Sequence, residues 1–175
     1  ADLGITADNI QVDFSKIQQW KDGIVSKLTG GVNALLKGNK VNILKGEAYF
    51  VEPNVVSISN DEEGKRLKFN DCIIATGSRP VELKAFPFGE RILSSTEALQ
   101  LQEIPESLIV IGGGYIGIEL GQTYAKFGSK VTILEGSNSI LPGFEQELSR
   151  FVVRNLKSLN VDIVTNAMAK SSKVE

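Results

Sequence analysis

The 175-residue sequence predicts an α/β protein in which a parallel-sheet βαβ unit follows a small antiparallel β meander. Three observations predict it. The apolar run Leu108 to Ile111 passes straight into Gly112-Gly113-Gly114-Tyr115-Ile116-Gly117 and then into a segment of helical composition. A second apolar strand, Lys130-Val131-Thr132-Ile133-Leu134, follows and ends on Glu135. Upstream, between Val41 and Phe69, short runs of strand-forming residues alternate with turn residues.

The bulk composition permits this fold and narrows the chemistry. At 42% hydrophobic and 23% charged residues the chain is able to bury a core. A formal net charge of −2, with acids and bases interspersed, gives no electrostatic reason for a nucleic-acid or anionic-membrane partner. Apolar runs fall far short of the roughly 20 residues of a membrane span. The Ala1-Asp2-Leu3-Gly4 start lacks a basic-plus-apolar signal pattern, so a soluble, cytoplasmic protein is expected. Histidine is absent, which excludes self-contained Ser-His-Asp hydrolysis, Cys-His chemistry and His-ligated metal sites. Cys72 is the lone cysteine and has no partner for an internal disulfide. No catalytic residue and no metal site are therefore expected in this chain, and its chemistry must come from a cofactor or from other sequence.

Taken in order, the elements begin with Asp13 as the cap of a helix. Its apolar residues Phe14, Ile17, Trp20, Ile24, Leu28, Val32 and Leu35 recur at three- and four-residue steps, predicting one buried stripe. Gly23, Gly30 and Gly31 each cost such a helix about 1 kcal/mol relative to alanine. Lys37-Gly38-Asn39-Lys40 supplies its stop. Four antiparallel strands are predicted next, at Val41–Leu44, Ala48–Val51, Val55–Ile58 and Arg66–Phe69. Pro53-Asn54 and Asn60-Asp61-Glu62-Glu63-Gly64 are turns between them. Cys72-Ile73-Ile74-Ala75-Thr76-Gly77 has the continuous apolar character of a fully buried central strand, which makes Cys72 a packed strand residue rather than a reactive thiol. Two prolines, a glycine and no clear period between Pro80 and Glu90 mark a linker and a domain boundary. Ser94-Ser95-Thr96-Glu97 fits a capping box opening a short helix through Leu101. After the βαβ unit, Phe144, Leu148, Phe151, Val152, Leu156 and Leu159 form a helical stripe, and Val161–Val164 is a third parallel strand.

A lone G-x-G-x-x-G is weak evidence in a chain with 17 glycines, and its context is what raises it. Strand, glycines, helix (Tyr115 to Phe127), strand and terminal acid occur in the order of a dinucleotide-binding unit. Gly112 allows the tight turn, Gly114 lets backbone approach a pyrophosphate, and Gly117 lets the helix lie close on the strand. Gly117, Gly121 and Ala125 form a small-residue row suited to sheet contact, and the free amides at the helix start would face a diphosphate. Glu135, 18 residues after Gly117, stands where an acid accepts hydrogen bonds from the adenosine ribose. The acid favours NAD over NADP, which would more often place an arginine there. A bare tight turn and an S-adenosylmethionine site are the competing readings.

Preceded by Ile74-Ala75-Thr76-Gly77-Ser78-Arg79-Pro80, the run Gly112-Gly113-Gly114-Tyr115-Ile116-Gly117-Ile118-Glu119-Leu120-Gly121 resembles the dihydrolipoamide dehydrogenase family of flavoprotein disulfide reductases. Leu28–Val32, Lys45–Phe50 and Val131–Gly136 are similar to further segments of that family, so the resemblance covers nearly the whole chain. It implies a Rossmann-like three-layer FAD/NAD(P)-binding architecture and two cofactors, FAD and NAD. Thr76, Gly77 and Ser78 would lie beside FAD, with the backbone at Ala48 at its adenine end. NAD would touch Gly112, Gly113, Gly114, Tyr115, Ile116, Gly117 and Glu119, with Glu135 on the ribose and the backbone around Met168 nearby.

The implied reaction is oxidation of dihydrolipoamide by NAD through FAD and a redox disulfide. The implied partners are a 2-oxo acid dehydrogenase complex and a second copy in a homodimer, and the implied setting is redox homeostasis. The family's first glycine fingerprint, its C-x-x-x-x-C pair and its His-Glu pair do not occur here. An internal fragment with incomplete domains is therefore expected: 1–80 from an FAD-binding domain, 81–90 a linker, and 91–175 the first half of an NAD-binding domain. Two other readings stand beside it, a non-catalytic NAD-binding or assembly module and a sister reductase such as an NADH oxidase or mercuric reductase.

Overall fold

The computed structural model describes residues 11–59, 64–89 and 91–173. The chain divides into two compact units, one of Ala1–Gln19 with Pro80–Glu175 and the other of Trp20–Arg79.

Helix α1, Phe14–Gly38, opens as the sequence predicts: the Lys16 amide donates to Asp13 Oδ1 at 3.1 Å, and none of the three internal glycines interrupts it. Its first turns belong to the first unit. There Phe14 packs edge-on against Phe127 and tilted against Tyr124, and Gln18 is buried, its Nε2 donating to the Leu101 carbonyl at 2.9 Å. The predicted apolar stripe is not buried. Trp20, Leu28, Val32 and Leu35 are all exposed, because the second unit places no layer over that face of the helix.

The second unit's sheet is an antiparallel meander of β1 (Glu47–Glu52), β2 (Val55–Ser59) and β3 (Lys65–Lys68), in the order β1-β2-β3. The Pro53-Asn54 turn joins β1 to β2, with a bulge between Phe50 and Glu52. The Phe50 and Phe69 rings meet edge-on at 6.0 Å. Two predictions are corrected. Val41–Leu44 forms no strand: strand-forming composition is met by no pairing, and among the described residues the outer edge of β1 is left open. Nor is Cys72–Gly77 a buried central strand: it has no sheet partner among the described residues, Ile73 is 92% exposed, and Cys72 is an exposed thiol. An apolar run becomes a central strand only when two neighbours supply its hydrogen bonds. Of the turn predicted at residues 60–64, only Gly64 lies within the described residues.

In the first unit the segment predicted as a linker carries a one-bridge antiparallel turn, Leu83 to Phe86, with Phe86 buried. Helix α2, Ser95–Ala98, starts on the complete capping box of Ser94 and Glu97 and stops three residues short of Leu101. Strands β4 (Ser107–Ile111), β5 (Lys130–Leu134) and β6 (Asp162–Val164) form a parallel sheet in that order, with Val110 opposite Ile133 and Ile133 opposite Ile163. Helices α3 (Tyr115–Lys126) and α4 (Gln146–Ser158) make the crossovers.

The core consists of Ile118, Tyr124, Val131, Ile133, Ile140, Leu156 and Val161, with Val131, Ile133 and Leu156 fully enclosed. A Cβ on Gly121 would stand in ordinary contact with Val131, Val110 and Ile133, so α3 lies on both β4 and β5 at this glycine. The stripe predicted for α4 is buried only in part. Leu156 is enclosed and Val152 half-buried, whereas Phe144, Leu148 and Phe151 are exposed, and Ser149 takes an inward position. No helix among the described residues is long and apolar enough to cross a membrane.

Candidate functional site

The site is the turn between β4 and α3 together with the loops that follow β5 and β6. Gly112 takes φ +101°, a backbone that L side chains rarely adopt, and its amide donates to the Leu134 carbonyl at 2.8 Å, tying the turn to the end of β5. Gly117 is required for a different reason. A Cβ there would fall 2.6 Å from the Gly112 carbonyl oxygen and 2.8 Å from Val110 Cγ1, so only glycine lets α3 start this close to β4. Gly114 stands before α3 as its N-cap with open space around it and no side-chain cap, which leaves the first amides of the helix without a side-chain acceptor.

Glu135 closes the other side. Its carboxylate is buried, and both oxygens accept backbone hydrogen bonds: Oε2 from the Gly113 amide and Oε1 from the Ser137 amide, each at 2.7 Å. The amides of Ser137 and Gly113 hold its pKa below the ordinary carboxylate value against an opposing effect of burial. The carboxylate is thus a fixed negative charge.

Glu135 is held through its backbone as well. Its amide donates to the Val164 carbonyl at 2.8 Å and its carbonyl accepts from the Ala167 amide at 2.9 Å, while the Asn166 amide donates to the Ser137 carbonyl at 2.8 Å. Asn166 adopts φ +54° to make this turn. Beyond it, Met168 is 75% exposed, yet its thioether reaches back over Gly136: a Cβ on that glycine would come 3.2 Å from Met168 Cε and 3.7 Å from its Sδ. Beside the turn an open, mainly apolar depression of about 780 Å3 is lined by Ile109, Ile111, Gly112, Gly114, Tyr115 and Ala169.

The structure therefore brings Gly112 through Gly117, Glu135 and Met168 into one neighbourhood. Glu119 is exposed on the second turn of α3, and its backbone carbonyl accepts from the Thr123 hydroxyl at 2.8 Å. The residues of the other unit are not gathered into a cradle. Ala48 is exposed in β1, opposite Ile58, and Thr76, Gly77 and Ser78 are exposed in a segment without regular structure, with Gly77 at φ +75°.

Sequence reasoning missed the support of the site. Ser137 is the second donor to Glu135, Ile140 fills the space against Gly113, and the Leu141 amide donates to the Gly113 carbonyl at 2.8 Å. No periodic pattern marks these residues. The one available signal was Pro142-Gly143, a turn that returns the chain toward α4 just after Leu141.

Dihydrolipoyl dehydrogenase from Bacillus subtilis (strain 168) is 58% identical over 97% of this chain, and that from Geobacillus stearothermophilus 56% identical over 98%. The chain spans only 36–37% of the length of these relatives. Among solved structures, the HOCl-induced flavoprotein disulfide reductase RclA from Escherichia coli matches with a TM-score of 0.80 and 28% identity, over 91% of this chain and 37% of that one. LpdA from Mycobacterium tuberculosis, at 22% identity and a TM-score of 0.85, shares the fold. The family model for pyridine nucleotide-disulphide oxidoreductases matches residues 4–175, and this chain belongs to that family.

Proposed function

We propose that this chain is part of a dihydrolipoamide dehydrogenase and provides the adenosine-side half of its NAD site. Residues 1–80 would come from the FAD-binding domain, 81–90 from the link, and 91–175 from the first half of the NAD-binding domain. The observation that carries this reading is the pairing of a glycine turn open at Gly112 and Gly114 with a buried carboxylate at Glu135 that is bonded to the Gly113 amide. The close identity to named dihydrolipoyl dehydrogenases supports the choice of substrate.

The residues of the first unit fit NAD. The space at Gly114 admits a diphosphate to the backbone, where the start of α3 offers amides and the positive end of its dipole. The remaining lone pairs of the Glu135 carboxylate can accept from ribose hydroxyls, and its fixed charge would repel a 2′-phosphate. Gly113, Tyr115, Ile116 and Glu119 would border the diphosphate and the path toward the nicotinamide, with Met168 walling the adenosine end. When bound, the nicotinamide supplies hydride acceptance, and the chain's own part is to bind, orient and select the nucleotide. Ala48 and Thr76–Ser78, exposed and ungathered, do not by themselves make a flavin site, and FAD belongs to the whole protein on family grounds.

The whole protein would oxidise dihydrolipoamide carried by a 2-oxo acid dehydrogenase complex, acting as a cytoplasmic homodimer in redox homeostasis. A sister reductase is the second reading, favoured by the similarity in fold to RclA.

Calorimetric titration of the purified chain with NADH, beside Glu135→Ala and with NADPH as the comparator, tests the NAD assignment. NADH binding in preference to NADPH, weakened about tenfold or more in the variant, is the expected result, the loss corresponding to about 1.4 kcal/mol of contact. Equal binding of both nucleotides, or indifference to the loss of Glu135, would overturn it.

A further inference from the structure

We infer that Met168 is a redox-sensitive modification site at the adenosine end, where conversion of its thioether to the sulfoxide loosens nucleotide binding. The inference rests on the NAD reading above and adds a mode of regulation to it. Met168 is the only methionine of the chain. It combines two properties that rarely meet in one residue: the side chain is 75% exposed, and its terminal atoms nevertheless lie against Gly136, the residue next to Glu135.

The backbone leading into it is clamped. Asn166 and Ala167 bond to Ser137 and Glu135 at 2.8 and 2.9 Å, so the chain that enters Met168 is fixed beside Glu135. The thioether itself must move. Oxidation makes the sulfur polar and adds an oxygen that can only accept hydrogen bonds, facing a bare glycine next to a buried, ionised carboxylate whose two nearby amide donors are already engaged. A flexible apolar wall thereby becomes a polar group whose donors lie in solvent, so the side chain turns outward and leaves Gly136 uncovered.

The step balances with a peroxide as oxidant. A sulfur lone pair attacks one peroxide oxygen, the O–O bond breaks, the S–O bond forms, and the second oxygen leaves as water after proton transfer. Sulfur is oxidised by two electrons and the peroxide is reduced. Exposure gives the oxidant access, and Cys72, the other exposed sulfur, lies in the other unit.

The test uses the 175-residue chain carrying Cys72→Ser, treated with hydrogen peroxide until mass spectrometry shows one added oxygen at Met168, and titrated with NADH before and after. Met168→Leu in the same background is the control that cannot be oxidised. The expected result is a weakening of about fivefold or more in the parent, none in Met168→Leu, and recovery after methionine sulfoxide reductase. Unchanged affinity with oxidation verified, or an equal loss in Met168→Leu, would overturn the inference while leaving the NAD site standing. Failure of the untreated chain to bind NADH would overturn the site reading and this inference with it.

Discussion

Gly112, Gly117 and Glu135 were legible as single residues because each answers a constraint that little else satisfies. A positive φ at Gly112 and a blocked Cβ position at Gly117 leave almost no alternative to glycine. Replacing Gly117 with alanine should destabilise the first unit by about 1–3 kcal/mol, since the atoms in the way include a backbone oxygen, and thermal melting of the variant will read it. Glu135 was legible as an acid at a strand end, but its two amide partners were not, because Ser137 and Gly113 donate through backbone, which carries no side-chain signature.

Its lowered pKa has a consequence for stability. A carboxyl whose folded value is depressed contributes stability in full above its unfolded pKa of about 4.3, and that contribution is lost as pH falls through the folded value. Glu135→Gln should therefore flatten the acid limb of stability below about pH 4.3 while lowering stability at pH 7, as denaturant melts across pH will show. The reading of Cys72 as a packed residue failed for want of a neighbour. In the native chain this thiol should react with a maleimide at nearly the rate of a free peptide cysteine, and protection by tenfold or more would contradict its exposure.

Among elements, those with strong ends were the easiest to read. The capping box of Ser94 and Glu97 satisfies two amides reciprocally, and it fixes the start of α2, whose end at Ala98 falls short of the expected Leu101. Ser94→Ala should cost about 1 kcal/mol, seen as a lower midpoint in urea with unchanged slope. Strand β5 was read to the residue because an apolar core strand between two crossover helices has little freedom in register. The apolar faces were read less well. In α1 and α4 the periodicity of apolar residues predicted burial, and the helices formed, but Trp20, Leu28, Phe144 and Phe151 found nothing to pack against. Periodicity reports which face is apolar; it does not supply the layer that covers it.

At the level of the whole molecule the succession of an antiparallel meander and a βαβαβ arrangement followed from the order of patterns along the chain, whereas the packing of Cys72–Gly77 did not, since a central strand depends on partners elsewhere in sequence. The exposed runs leave unpaired backbone and apolar surface together, a combination that invites pairing between chains. Light scattering should show association that grows with protein concentration, and Ile73→Lys with Ile74→Lys should reduce it without lowering the melting temperature, because neither side chain is in a core.

Both sheets share one topological property: the spatial order of their strands is their order along the chain, β1-β2-β3 and β4-β5-β6. Within each sheet, every strand after the first is thus laid down beside the one made immediately before it, and among the described residues no strand is inserted between two that already exist. A ribosome releasing this polypeptide would extend each sheet at a single growing edge, so the glycine turn would be in place and β5 docked before α4 had left the exit tunnel. Assembly of the site would then keep pace with translation.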